Sequence, residues 1–259
     1  MTAGLRAANG LLTLLVLLVC AFMVGPTVAI APISITATDF ISVPPHGFSW
    51  QWYAALLQPN WLHPFFVSFV VGVVTALAAT AIGTAAALGL YRLRGRAARV
   101  AFLAILLPLL VPSIIIAVAL YGFLAAIGLV GTIAGLVLAH TVLALPFVVI
   151  NVSAVLQKVD WRIVDAARSL GADPRYAFRH VTLPAIWPGM RVGLLFAFLT
   201  SFDEIVLALF ISGPDTATLP VRMWQGIRFE ISPAVASASC ALMAVSLLLL
   251  ATYWLLRGR

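Results

Sequence analysis

The amino-acid sequence predicts an all-α integral membrane protein with about six transmembrane helices. Hydrophobic residues make up 63% of its 259 residues and charged residues only 9%, and the mean hydropathy is +1.13. These values lie well outside the range of soluble domains. Because a span needs roughly 20 apolar residues, the chain is expected to form one transmembrane domain, residues 1–259, with little else.

Apolar runs long enough to cross a bilayer alternate with short polar segments. The first run follows Arg6 and ends near Ala29 and Ala31, which also matches the pattern of a cleavable signal peptide. If this helix is retained, six spans place both termini on the same side. The spans cover roughly 11–31, 64–90, 99–125, 131–156, 186–211 and 233–256.

Prolines and glycines within the runs predict local departures from straight, evenly packed helices. Pro108 and Pro112 fall in the third run and Pro146 in the fourth, and each is expected to kink its helix because proline lacks the backbone N–H. Gly131 and Gly135 open the fourth run at a spacing that allows helices to approach closely.

Basic residues indicate the orientation of the spans. The 91–99 loop carries four arginines, and the 157–185 loop carries Lys158 and four arginines. The segments 32–63 and 126–130 contain no Lys or Arg, and in 212–232 two arginines are balanced by two acidic residues. The positive-inside rule therefore predicts a multi-pass protein with both termini and the 157–185 loop in the cytoplasm. The net charge of +7 reflects topology, and no nucleic-acid partner is expected.

The 157–185 loop is the most polar part of the chain, and its residues predict two short helices joined by a tight turn. An acidic side chain near the start of a helix is stabilised by the positive end of the helix dipole. Two adjacent alanines have small side chains, so another surface can approach that side of the helix closely. Glycine suits the helix end that turns back, and proline begins a new helix. The residues in this order are Asp165, Ala166, Ala167, Gly171 and Pro174, with Leu183 and Pro184 at the loop's end.

This pattern resembles the EAA loop of ABC-importer permeases, with Asp165 in place of the commoner glutamate. The resemblance implies a type I ABC-importer permease fold. It also implies that these seven residues form coupling helices that dock into a groove on a cytoplasmic ATPase subunit. An ordinary loop between two spans is the alternative interpretation.

Two adjacent carboxylates, Asp203 and Glu204, follow Ser201 inside the fifth apolar run. Charges at membrane depth usually face a cavity or a partner, and on one helix at most one of two neighbours can face a pore. Acidic groups along a path favour a cationic substrate. A structural ion pair with an arginine, such as Arg222, is the alternative. His140 in the fourth run either lines the same path or hydrogen-bonds a neighbouring helix.

A narrower resemblance covers residues 165–240. The stretches Thr200–Pro214, Thr218–Trp224 and Ile231–Pro233 are similar to the second permease subunit of spermidine/putrescine-type importers. The resemblance implies a polyamine or related small cation as substrate, with an opine, an aminophosphonate or another small organic solute as alternatives.

The same resemblance implies a location in the bacterial inner membrane and a set of partners, which are an ATPase dimer, a periplasmic substrate-binding protein and a second permease subunit. The second permease is expected to be a different chain, with a second copy of this chain as the alternative. ATP and Mg²⁺ would be bound by the ATPase. The sequence contains no GxxxxGK[ST] phosphate loop, so the chain is not expected to be an enzyme or to carry a cofactor of its own.

Other sequence features argue against different classes of protein. A secondary transporter would show inverted repeats or broken helices in matching halves, and no such symmetry is visible. A membrane-embedded enzyme would need polar groups at one depth, but the four histidines fall in different segments. Cys20 and Cys240 lie in apolar runs without metal-binding spacing, and no metal site is predicted.

The segments predicted to lie outside the cell have local structure of their own. Residues 32–63 are rich in aromatic residues and are expected to form an extended stretch followed by a short surface helix. Residues 212–232 are expected to include an amphipathic helix on the outer surface, where a binding protein would land.

Overall fold

The computed structural model describes residues 2–42, 44–229 and 232–257, and every regular element in these ranges is a helix. The predicted all-α fold is therefore confirmed. The six longest helices are α1 (Thr2–Ser34), α3 (Pro59–Arg92), α4 (Gly95–Leu110), α6 (Ile133–Leu156), α9 (Leu183–Phe202) and α12 (Pro233–Arg257). The shorter ones are α2 (Gln51–Ala55), α5 (Ser113–Ala126), α7 (Arg162–Ser169), α8 (Pro174–Ala177), α10 (Val206–Ile211) and α11 (Leu219–Phe229).

Five helices in the described part of the chain are long and apolar enough to span a membrane, and a sixth span is formed if the bent pair α4 and α5 is counted as one. The five are Asn9–Ser34, Pro59–Arg92, Ile133–Leu156, Pro174–Phe202 and Pro233–Leu255. Hydropathy therefore located every span, although two of them differ in form from the prediction.

The predicted third span, 99–125, is two helices rather than one kinked helix. The axes of α4 and α5 differ by 103° across the break. Val111 is extended, with φ −84° and ψ 133°, because the ring of Pro112 disfavours helical geometry in the residue before it. Pro108, by contrast, lies inside α4 without ending it.

The predicted fifth span, 186–211, differs at both ends. Helical structure begins earlier, at Pro174, and runs through a π-helical turn at Phe178–Thr182 into α9. At the other end α9 stops at Phe202, and α10 begins only at Val206. The two carboxylates of this run therefore lie at a break between helices, not on the face of one helix.

Contacts divide the chain into two compact units, Met1–Leu62 with Met223–Arg259, and His63–Arg222. In the first unit, α12 packs against α1 and α2. The Ser237 hydroxyl donates to the Ser34 carbonyl oxygen at 2.8 Å, and the Trp52 indole N–H donates to the Thr36 carbonyl oxygen at 3.0 Å. The short helix predicted within residues 32–63 is present as α2.

In the second unit, α6 and α9 form the central helix pair. Small residues repeat every fourth position along α9, at Gly189, Gly193, Ala197 and Ser201, and all four are buried. This spacing places them on one face, and small side chains let two backbones approach closely. The α9 backbone therefore lies directly against α6.

The close-packing motif that the sequence suggested at Gly131 and Gly135 was assigned to the wrong helix. Gly131 precedes α6 with φ +79°, and its N–H donates to the Ile211 carbonyl oxygen at 2.7 Å. Gly135 lies against the carbonyl group of Leu129, within the turn that leads into its own helix. Glycines that allow close helix packing are found instead on α9, at Gly189 and Gly193, and on α3, where an added Cβ at Gly83 would lie 2.8 Å from Val148 of α6.

We expect Gly189→Ala to destabilise the protein. The added Cβ would lie 2.8 Å from the Asn151 carbonyl oxygen and 2.9 Å from a Val155 methyl group. Overpacking of this kind costs about 1–3 kcal/mol, which exceeds the gain of up to about 1 kcal/mol from replacing a helical glycine by alanine. The measurement is the midpoint of thermal unfolding in detergent, which should fall.

Gly122→Ala on α5 is the matched control, since an added Cβ there meets nothing within 4 Å. Its unfolding midpoint should stay unchanged or rise. Equal midpoints for the two variants would contradict the close approach of α6 and α9.

Candidate functional site

The first candidate site is the polar segment between α6 and α9, where the sequence predicted coupling helices. Helix α7 carries Asp165 in its first turn, as expected. Just before it, Asp160 accepts two hydrogen bonds at 3.0 Å from the guanidinium of Arg162. This contact holds the pKa of Asp160 below its ordinary value. The pair fixes the chain where it enters α7.

The turn after α7 has the geometry that the sequence predicted for Gly171. Gly171 has φ +92°, and its N–H donates to the Arg168 carbonyl oxygen at 3.0 Å. The next residue, Ala172, donates to the Ala167 carbonyl oxygen at 3.1 Å. These two bonds form a Schellman motif, and the positive φ explains why a glycine stands at this position.

Pro174 begins a new helix, as predicted. The Asp173 side chain accepts a hydrogen bond of 2.6 Å from the Tyr176 N–H and so caps α8. Leu183 and Pro184, expected at the loop's end, instead lie in the first turn of α9. Proline has no N–H to bond the preceding turn, and a π-helical turn directly precedes Pro184.

The helical segment Pro174–Phe202 is therefore continuous over 29 residues, or about 43 Å. One of its ends lies beside the Gly171 turn, and the other ends at Asp203. One continuous helical segment thus joins the Gly171 turn to the acidic pair.

An exposed apolar surface surrounds the Gly171 turn. Leu170 is 89% exposed, the highest value among the exposed large apolar side chains of the described residues, and Ile163 and Tyr176 are also exposed. An open depression of about 560 Å³ lies here, lined by Ala167, Leu170, Gly171, Ala172, Asp173 and Tyr176. Sequence reasoning did not single out Leu170, although a leucine directly before a helix-ending glycine in a polar loop was a usable signal.

Contacts within the His63–Arg222 unit join loops of similar charge. The rings of Tyr91 and Trp161 stack with centroids 4.8 Å apart, which joins the two arginine-rich loops at one end. At the other end, the Thr216 hydroxyl donates to the Gly131 carbonyl oxygen at 3.1 Å, which joins the two loops of low charge. Arg259 and Glu230, used in the topology argument, lie outside the described residues, as do the side chains of Arg6 and Arg257.

The second candidate site is the break between α9 and α10. Asp203 is exposed, whereas Glu204 is partly buried. The Glu204 carboxylate accepts hydrogen bonds from the N–H groups of Val206, Leu207 and Ala208, at 2.9, 2.8 and 3.2 Å. The break therefore directs the two acidic side chains into different surroundings.

His140 lies on α6, 61 residues before Ser201 in sequence, yet the two side chains are in contact. The His140 Nδ1 lies 2.8 Å from the Ser201 hydroxyl oxygen, and the Nε2 lies 3.8 Å from the nearer Glu204 carboxylate oxygen. His140 is 1% exposed. The structure thus brings together His140, Ser201 and Glu204, and leaves Asp203 outside this cluster. The hydrogen bond to a neighbouring helix, the alternative role predicted for His140, is present.

Sequence reasoning missed Arg191, which lies inside α9. Its Nε atom is buried and has no hydrogen-bond partner among the described residues. A single charge inside an apolar run was the available signal, because such residues in spans usually have a functional partner.

Helix α11 occupies the outer segment where an amphipathic helix was predicted. Leu219 and Val221 are buried, while Trp224 is exposed and the Arg228 guanidinium lies 5.9 Å from the centre of its ring. Ile231, at the end of this segment, lies outside the described residues.

The described residues contain no group of three or more His, Cys, Asp or Glu side chains that could hold a metal ion. Cys20 is exposed on α1 rather than buried, and Cys240 is partly buried on α12.

Comparison with known proteins gives one family. The family model described as binding-protein-dependent transport system inner membrane component matches residues 79–258. The putrescine transport system permease protein PotI of Escherichia coli is 31% identical over 87% of this chain and 83% of its own length. The spermidine/putrescine transport system permease protein PotC of Haemophilus influenzae is 29% identical over 78% of this chain and 79% of its own.

Two further matches extend over nearly the whole chain. The putative 2-aminoethylphosphonate transport system permease protein PhnV of Salmonella typhimurium is 29% identical over 95% of this chain and 92% of its own length. A chain of a bacterial ABC transporter that imports the acidic polysaccharide alginate has the same fold, with a TM-score of 0.71 at 15% identity over 100% of this chain and 98% of its own.

Proposed function

Because the chain belongs to the family of binding-protein-dependent transport system inner membrane components, we propose that it forms half of the path by which an ABC importer carries a polyamine into the cell. The protein is a multi-pass permease subunit of the inner membrane, as the EAA-like motif predicted. The substrate, the partners and the roles of individual residues are the proposed part.

The cationic substrate is supported above all by Asp203. This carboxylate is exposed at a break in a membrane-spanning segment, where a charge is expected to serve a path or a partner. A protonated amine is the natural counterpart of such a group. Permeases named for putrescine and for spermidine/putrescine are 31% and 29% identical to this chain.

Coupling to the ATPase is assigned to α7, the Gly171 turn and α8. Leu170 would enter a groove on the ATPase, and Ala166 and Ala167 would let the two surfaces approach closely. Movement of the ATPase dimer would then pass along the continuous segment Pro174–Phe202 to the Asp203 break.

The remaining parts of the importer would come from other chains. An ATPase dimer binds ATP and Mg²⁺ and hydrolyses ATP, a second permease on a different chain completes the path, and a periplasmic protein delivers the substrate. This chain then needs no cofactor of its own and acts as a transport component rather than as an enzyme.

The proposed orientation makes a labelling prediction. We consider a protein in which Cys20 and Cys240 are replaced by serine and which is expressed without the ATPase that would cover Leu170. Leu57→Cys should then react with a membrane-impermeant maleimide in intact spheroplasts, because residues 32–63 are placed outside. Leu170→Cys should react only after permeabilisation. Both wild-type leucines are well exposed, so access depends on sidedness. The reverse labelling pattern would contradict cytoplasmic termini.

Import of an aminophosphonate is the second candidate function. It is favoured by the relative named for 2-aminoethylphosphonate, which matches 95% of this chain. Arg191 would supply a cation for the phosphonate, as Asp203 would supply an anion for the amine.

Uptake by proteoliposomes that contain the complete importer and its binding protein tests the proposal. We expect putrescine or spermidine to accumulate and 2-aminoethylphosphonate not to. Accumulation of the aminophosphonate alone would replace the polyamine assignment and leave the importer architecture unchanged.

A further inference from the structure

The Glu204 carboxylate is occupied by contacts within the protein. One oxygen accepts the Val206 N–H at 2.9 Å, and the other accepts those of Leu207 and Ala208 at 2.8 and 3.2 Å. The side chain is only 9% exposed, whereas its neighbour Asp203 is exposed. The acceptor atoms of Glu204 thus point at the start of α10 rather than into open space.

Helix α10 requires such an acceptor because it is buried in apolar surroundings. Leu207, Ala208 and Ile211 are all 0% exposed. The first N–H groups of any helix lack a partner within it, and a buried backbone donor left without an acceptor is costly. In α10 the first N–H bonded to a preceding carbonyl is that of Leu209, which donates to Ile205 at 2.9 Å. Glu204 satisfies the three before it.

His140 connects this arrangement to α6. In the tautomer with the proton on Nε2, Nδ1 accepts from the Ser201 hydroxyl at 2.8 Å, and the Nε2–H faces the Glu204 carboxylate at 3.8 Å. Ser201 lies in the last turn of α9. One imidazole therefore hydrogen-bonds the end of α9 and lies beside the cap of α10, at a distance too long for a hydrogen bond to Glu204.

We propose that Glu204 is a positioning residue and not a substrate ligand. With His140 and Ser201 it holds the break between α9 and α10 in one geometry, so that Asp203 alone presents a carboxylate to the substrate. The identity of that substrate as a polyamine rests on the proposed function, but the positioning role does not. The sequence predicted that at most one of these two adjacent carboxylates would face a pore, but it did not show which one.

Thermal unfolding of three variants of the purified importer distinguishes a capping role of Glu204 from a role as substrate ligand. We expect Glu204→Ala to lower the unfolding midpoint by about 2–6 °C, which is the effect of losing a helix cap in a chain of this size. Glu204→Gln keeps one side-chain oxygen at the same reach and should lower it less. Asp203→Asn should leave it unchanged.

The same variants are then compared in putrescine uptake. Asp203→Asn should raise the half-saturating concentration at least about tenfold, which corresponds to the loss of one charged hydrogen bond. Glu204→Gln should change that concentration less than about twofold while lowering the maximal rate. If Glu204→Gln raises it as much as Asp203→Asn without changing the unfolding midpoint, Glu204 is a ligand and the proposal is wrong.

A double variant tests whether His140 and Glu204 act together. His140→Leu removes both polar contacts of the imidazole, and its effect on the unfolding midpoint should be less than additive with that of Glu204→Ala. Additive effects would contradict a shared role. The unfolding measurements need no substrate, so they test the positioning role of Glu204 by themselves. A wild-type importer that takes up no putrescine would overturn the polyamine assignment only.

Discussion

Leu170→Asp is expected to prevent the ATPase from binding to the permease. A leucine that moves from 89% exposure into a groove contributes about 1.5–3 kcal/mol, and an unpaired carboxylate in its place adds a desolvation cost. Because 1.4 kcal/mol is a factor of ten in affinity, binding should weaken by at least about tenfold to a hundredfold. The measurement is co-purification of the ATPase with the tagged permease, followed by titration.

The control for this prediction is Leu57→Asp. Leu57 is 73% exposed and lies in the segment placed on the opposite side of the membrane, so this variant should retain the ATPase. Both variants should show the wild-type helical content by circular dichroism. An ATPase that binds Leu170→Asp with wild-type affinity would exclude the Gly171 turn as the coupling surface.

Asp203→Lys is expected to cause the loss of polyamine uptake. Replacing the carboxylate by an ammonium turns an attraction for a cationic substrate into repulsion, and each effect is strengthened where water is scarce. Uptake of putrescine should fall by roughly a hundredfold, since a charged hydrogen bond contributes about 1.5–3 kcal/mol. Initial rates in proteoliposomes give the measurement.

Asp215→Lys provides a matched reversal of charge at an exposed carboxylate in the 3₁₀ turn Pro214–Thr216. It should transport putrescine at close to the wild-type rate. If both variants transport equally well, the Asp203 carboxylate does not contact the substrate.

Much of the architecture was predictable because hydropathy and charge act locally. A span must be apolar whatever it packs against, so the runs around α3, α6 and α12 were located to within about five residues. The backbone geometry of the segment proposed for coupling was equally predictable. Gly171 and Pro174 act through their own backbone geometry, which does not depend on distant parts of the chain.

The breaks in the spans were not predictable in this way. Apolar residues continue on both sides of Val111, so the hydropathy profile does not mark the end of α4. Asp203 and Glu204 interrupt the fifth apolar run where α9 ends, but an acidic pair does not by itself show that a helix stops there. Pro112 was expected to produce a kink, but the 103° bend depends on how α5 packs. At Glu204, an acidic residue two positions before a buried helix is a typical cap, and that signal was available.

The buried cluster was the least accessible feature. His140 and Ser201 are 61 residues apart in sequence and meet at 2.8 Å because Gly193 and Ala197 let α9 lie against α6. Such a contact depends on the register of two helices, which neither residue encodes by itself. For the same reason, the sequence could not tell which of the two adjacent carboxylates was exposed.

We propose that the Gly171 turn and the break at Asp203 are the two ends of one polyamine importer subunit, joined by Pro174–Phe202. The ATPase activity of the complete importer in nanodiscs with its binding protein tests this proposal most directly. Putrescine or spermidine should stimulate the wild type. Leu170→Asp should lose ATPase binding, and Asp203→Lys should keep the bound ATPase but lose the stimulation. ATPase activity that is indifferent to both polyamines, or unaffected by either substitution, would contradict the account.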